Sequence, residues 1–171
     1  MLVMGVTSFL IFISYNIAEA GFIMYFIPNY EQVYELKLID YFSVAIVAPI
    51  TEEIIFRGII LKKLSDKHSL IIANLIQSLI FSILHMNMYL FLFFLMFGMI
   101  MGMVKRNMNI YCCILIHVLC NTFGLLGISL DINIFEIPKI LYLFIGLLFI
   151  SFTIIIIWKM ADTNKLNSVQ S

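Results

Sequence analysis

The sequence predicts an all-helical, polytopic transmembrane bundle of about six spans with both termini in the cytoplasm, and three observations predict it. Hydrophobic residues make up 63% of the 171 residues and charged ones only 12%, with a mean hydropathy of +1.09. Those values lie outside the range of ordinary soluble domains. Apolar runs long enough to cross roughly 30 Å of hydrocarbon recur along the chain. The basic residues between the runs fall mostly on one side.

In order, the runs are Leu2 to Ile27, Leu38 to Leu61, Leu70 to Met86, Tyr89 to Val104, Ile110 to Leu130 and Ile140 to Trp158. Alternating spans put both termini and the loops at Lys62 to Ser69 and Lys105 to Asn109 on one side. That side holds Lys62, Lys63, Lys67, Lys105, Arg106, Lys159 and Lys165, against Lys37 and Lys139 on the other. The positive-inside rule makes the basic side cytoplasmic. One domain over residues 1–159 and a polar cytoplasmic tail over 160–171 follow.

The first run lacks a basic n-region and a small-residue cleavage pattern, so it is expected to be a retained helix and not a signal peptide. It carries Asn16 and Glu19, the latter expected at the interface. The outer loop Pro28 to Asp40, with Tyr30, Tyr34 and the following Tyr41, suits a membrane surface. Pro49 is expected to kink the second helix or start a fresh one. The third and fourth runs are short and separated only by Asn87 and Met88, which predicts a tight hairpin or a segment that does not fully cross. Gly98 and Gly102 form a GxxxG pair, expected to pack helices without a dimerisation role. Cys112, Cys113 and Cys120 share one run and are expected to be reduced packing residues. The sixth run, free of ionisable residues after Lys139, reads as a lipid-facing helix. Acidic and basic residues number ten each, so no nucleic-acid partner is implied.

Within the second run, Glu52, Glu53 and Arg57 are the anomaly. Each costs about 2.5 to 3.5 kcal/mol near a bilayer centre, whereas a Leu or Ile returns only about 0.3 to 0.6. They are tolerable only when facing other helices, pairing, or lining a wet cavity. Glu53 and Arg57 are four apart and can pair on one face. Glu52 lies about 100° round the helix and is left without a local partner. Two further helices offer polar faces: Asn74, Gln77 or Ser78, Phe81 and His85 on the third, and Cys113, His117, Cys120 and Asn121 on the fifth.

A glutamate and a histidine on one water form a general-base pair for attack on a carbonyl. A second histidine with an asparagine one turn away can donate to the developing oxyanion. Such a set hydrolyses an amide without a serine or cysteine nucleophile. Counting about 1.5 Å per residue puts Glu52 and His117 in the cytoplasmic half but His85 deeper, unless the third helix tilts or begins later.

Glu-Glu-x-x-x-Arg at Glu52, Glu53 and Arg57, Phe-x-x-x-His at Phe81 and His85, and His-x-x-x-Asn at His117 and Asn121 resemble the three ordered motifs of the CPBP intramembrane proteases. That family holds type II CAAX prenyl endopeptidases and bacteriocin-processing and self-immunity proteins. The resemblance implies an intramembrane glutamic endopeptidase. Glu52 and His85 would activate water, His117 and Asn121 would form the oxyanion site, and Glu53 with Arg57 would hold the site together. Only one span precedes the first motif, whereas similar proteins often have more. The implied partners are the lipid bilayer and a membrane-associated peptide, protein or prenylated C-terminus.

Richness in Ile, Lys and Asn with few Arg or Ala suggests an AT-rich bacterial genome, and with it a cell-membrane enzyme acting on a leader, bacteriocin or signalling peptide. No cofactor is expected. The rival within enzymes is a zinc protease using His85, His117 and a carboxylate near Cys113 and Cys120, although His-Glu-x-x-His is missing. Outside enzymes, the rivals are an immunity or scaffold protein and a proton-coupled transporter. Against the transporter, the two halves show no internal repeat.

Overall fold

The computed structural model describes residues 10–13 and 37–130, with isolated positions at 144, 147, 148, 151 and 155. All regular structure among the described residues is helical. The first run apart from residues 10–13, most of the outer loop and nearly all of the sixth run lie outside them, and so do Asn16, Glu19, Tyr30 and Tyr34.

Helix α1 runs over residues 38–65 without a break, but it is not uniformly α. Two π-helical stretches, Ser43–Val47 and Ile54–Ile60, flank the α-helical Ala48–Glu53. Pro49 therefore neither starts a new helix nor ends the old one. The upstream π turn absorbs it: Ala48 N–H bonds the Ser43 carbonyl five residues back, and in that register the next donor would be Pro49, which has none. The carbonyl left over is that of Val44. It accepts a hydrogen bond from Asn121 Nδ2 at 3.0 Å.

Helix α2 is Leu70–Leu84, with Ser69 Oγ accepting from the Ile72 backbone at its N-terminus, the usual use of serine at that position. It ends at His85 because Met86 turns left-handed, at φ 51°. Asn87 Oδ1 then accepts from the Tyr89 and Leu90 backbones and starts α3, Phe91–Asn107. Helix α4 is Ile110–Leu130, with Asn109 Oδ1 accepting from Cys112 N. The expected hairpin is thus α2 and α3, about 22 and 25 Å long at 1.5 Å per residue. Among the described residues no helix is long and apolar enough to cross a membrane.

Beside an apolar core that includes Phe56, Phe81, Phe97, Met101 and Ile116, the bundle buries polar groups and exposes large apolar ones. Glu53, Arg57, Asn74, Gln77, Ser78, Ser82 and His117 are buried, while Ile54, Ile55, Ile59, Ile71, Ile83 and Leu84 are exposed. Polar groups inside and apolar side chains outside is the distribution that a hydrocarbon surrounding demands.

An extensive helix contact joins α2 to α3 and is polar at its centre. Asn74 Nδ2 donates to the Met99 carbonyl at 2.9 Å, and Gln77 Nε2 donates to Asn74 Oδ1 at 2.8 Å and lies 3.1 Å from the Gly98 carbonyl. Gly98 and Gly102 allow this approach. A Cβ on Gly98 would sit 2.9 Å from Ser78 Cβ, and one on Gly102 would overlap the Asn74 carboxamide. The GxxxG face is therefore spent on packing within the chain. Gly102→Ala is expected to destabilise the protein by about 1–3 kcal/mol through overpacking. Gly124→Ala, where nothing lies within 4 Å, should be neutral or stabilising by up to about 1 kcal/mol. Thermal unfolding of the two variants in detergent makes the comparison.

Candidate active site

The π-helical Ile54–Ile60 touches α2, α3 and α4, so the polar residues of α1 arrive where all four helices meet. Glu53 and Arg57 are fully buried and paired, Oε1 to Nη1 at 3.0 Å. The guanidinium also lies over the Phe81 ring at 4.7 Å from its centroid and near Phe56 at 5.9 Å. Desolvated cation–π contacts of this kind are worth about 2 kcal/mol.

Glu53 Oε1 has a second partner, His117 Nδ1 at 2.8 Å. A carboxylate accepts, so Nδ1 carries a hydrogen, and whenever the ring holds only that one its Nε2 is bare. That Nε2 lies 3.7 Å from Glu52 Oε2. His85 repeats the logic from another helix. Its Nδ1 lies 2.8 Å from the Phe81 carbonyl, which can only accept, so Nδ1 carries a hydrogen here too, and Nε2 sits 4.0 Å from the same Glu52 oxygen. The depth mismatch inferred from counting residues is absent: α2 brings His85 level with Glu52.

With one proton on each ring, three acceptor atoms, from α1, the end of α2 and α4, converge on one point. Glu52 Oε2 makes no hydrogen bond among the described residues. Its side chain is 31% exposed although Oε2 itself is buried, whereas Glu53 is fully buried, so Glu52 is the more accessible of the two adjacent carboxylates. A donor is what this arrangement lacks, and a water molecule placed between the three would supply two hydrogens.

Beside this point lies a cavity of about 60 Å³ lined by Phe81, His85, Phe94, Phe97, His117, Cys120 and Asn121, roomy enough to hold water. Asn121 lines it while spending one amide hydrogen on Val44, which leaves the second for another acceptor. Cys113 is buried, its thiol 3.4 Å from the Met101 and Asn109 carbonyls. Among the described residues no cluster of three or more His, Cys, Asp or Glu is arranged to hold a metal ion.

All six sequence-predicted residues therefore gather at one place. Sequence reasoning missed the aromatic lining from α3. Phe94 stands 4.1 Å from the His85 ring and Phe97 4.8 Å from the His117 ring, centroid to centroid. Their three-residue spacing puts both on one face, but in the run Phe91 to Phe97 nearly every residue is large and apolar, and nothing marks these two.

A family model described as Type II CAAX prenyl endopeptidase Rce1-like matches residues 34–123. Comparisons with curated proteins and with solved structures give no match. The matched stretch is more than half of the chain and contains Glu52, Glu53, Arg57, His85, His117 and Asn121. With these residues meeting across three helices around one partly exposed carboxylate, the chain belongs to the Rce1-like type II CAAX prenyl endopeptidases, a family of membrane-located proteases.

Proposed function

We propose that this protein is an intramembrane glutamic endopeptidase that cleaves a membrane-associated peptide or protein. The observation that supports this most directly is the convergence of His85 Nε2 and His117 Nε2 on Glu52 Oε2. Water held there attacks the scissile carbonyl carbon as Glu52, aided by His85, takes its proton. The oxygen bonds to carbon, the carbonyl electrons move onto its oxygen, and Asn121 and His117 donate to that oxyanion. Asn121 supplies the standing donor from the amide hydrogen not held by Val44, and His117 adds a second from Nε2 only when that nitrogen also carries a proton. Collapse of the intermediate breaks the C–N bond, and Glu52 returns the proton to the leaving amine. Glu53 and Arg57 hold His117 and take no part in the exchange.

The six-span arrangement with cytoplasmic termini is part of this reading, supported by the distribution of basic residues and by the apolar outer faces of α1 to α4. It places the chemistry toward the cytoplasmic leaflet of a bacterial cell membrane, with a leader, bacteriocin or signalling peptide as substrate. The test is cleavage of a membrane-anchored peptide library by detergent-purified protein, with products located by mass. Cleavage that persists with a strong zinc chelator present is the expected result. Loss of cleavage on chelation would move the assignment to a metal centre, and a folded protein that cleaves nothing while Glu52→Gln leaves its cellular effect intact would favour an immunity or scaffold role.

A further inference from the structure

Helix α3 contributes no ionisable residue to the site, yet it touches both histidines. Phe97 stands against His117, which already has a fixed hold on Glu53. His85 is less secured. It is partly exposed, it follows the last residue of α2, and among the described residues its hydrogen bond is to the Phe81 carbonyl of its own helix end, with Glu52 at 4.0 Å. The rest of its constraint is aromatic: Phe81 at 4.3 Å and Phe94 at 4.1 Å between ring centroids, with planes inclined at 46° and 32°. Phe81 comes from the same helix and moves with His85. Phe94 does not.

We propose that Phe94 is the positioning residue that holds the His85 ring with Nε2 toward Glu52, acting through the imidazole and not on the substrate's reacting atoms. The hairpin fixes where Phe94 stands. Ser82 Oγ donates to the Phe91 carbonyl across the two helices, Asn87 Oδ1 caps the Leu90 backbone, and Phe94 N–H bonds the Leu90 carbonyl one turn on. These bonds tie the start of α3 to the end of α2, so the phenyl ring meets the imidazole at a set height. A ring packed at this distance restricts rotation about the imidazole's side-chain torsions, which a flexible aliphatic chain of similar volume does not. Without it His85 can swing toward solvent and lose its alignment with Glu52.

The role in turnover rests on the proposed glutamic mechanism, but the structural claim can be read without turnover. The chain has three histidines, so ¹⁵N-histidine labelling of the full chain in detergent gives a small, assignable set of ring signals. In Phe94→Met the His85 signals are expected to lose the Nδ1–H tautomer as the dominant form and to show ring-current shifts, with His117 unchanged. Phe94→Tyr, which keeps the ring, should restore the wild-type signals. Where the wild type cleaves a peptide, Phe94→Met should lower kcat by about 10- to 100-fold with KM within about twofold, and Phe94→Tyr should recover most of it. Unaltered His85 signals in Phe94→Met would overturn the proposal, as would a Phe94→Tyr variant as perturbed as Phe94→Met. Failure of the wild type to cleave any peptide would count against the glutamic mechanism alone, because the nitrogen signals decide the positioning claim separately.

Discussion

Glu52→Gln is expected to lower peptide hydrolysis by about 10²- to 10⁴-fold, the range associated with removing a positioned general base. Glutamine keeps the shape and the carbonyl oxygen but cannot take a proton from water or return one to the amine. The structure also says why this variant should fold. Glu52 is partly exposed, and its Oε2 has no hydrogen-bond partner among the described residues, so no network collapses when the charge goes. Single-turnover cleavage at saturating substrate, with thermal unfolding measured in parallel, separates the two properties. A variant that retains more than about a tenth of wild-type turnover would remove Glu52 from the role of base. Glu53→Gln makes the instructive contrast. Its carboxylate never meets substrate, so any loss of turnover there should come with altered His117 signals and lowered stability.

The second large effect is on stability. Arg57→Leu is expected to cost about 3–5 kcal/mol, because it leaves Glu53 as a buried carboxylate without its cation. His117 remains 2.8 Å away but already serves that oxygen. The loss has two parts, charge and stacking, and Arg57→Lys divides them. A lysine ammonium can reach Glu53 but cannot lay a plane over Phe81, so it should recover some of the stability and not all. The double variant Glu53→Leu with Arg57→Leu removes both charges together and should be more stable than Arg57→Leu alone. Unfolding midpoints in detergent, with protein levels in membranes alongside, give the order. Equal stability for Arg57→Leu and wild type would mean that Glu53 does not depend on the arginine.

Much of this site was legible in the sequence because helix geometry is local. Four-residue spacing paired Glu53 with Arg57, and the three- and four-residue repeats put Asn74, Gln77, Ser78 and Phe81 on one face, as the buried side of α2 shows, with partly exposed His85 just past its end. The short Asn87 and Met88 link announced a hairpin. What stayed hidden was everything set by a second helix or by a departure from regular periodicity. The bond from Asn121 to Val44 joins residues 77 apart in sequence, and no spacing rule reaches that far. The tautomers of His85 and His117 depend on which acceptors meet Nδ1. Proline at position 49 signalled a disturbed helix, but that the chain would take it up in a π turn, with Asn121 on the Val44 carbonyl, is not written in its local sequence.

That irregularity in α1 has a consequence for how the site tolerates change. A π turn holds one residue more than an α turn, and such stretches lie on both sides of Ala48–Glu53. Removing one residue from Ser43–Val47 would therefore turn a π turn into an α turn and leave the segments on either side facing much as before. A residue lost or gained within the regular turns of Ala48–Glu53 has no such slack and rotates Glu52 by about 100° relative to Val44. Asn121 could then keep Val44, or the two histidines could keep Glu52, but not both. The number of residues in that short α stretch is as much a part of the active site as their identity, while the wide turns beside it are where the chain can shed a residue and keep its carboxylate in place.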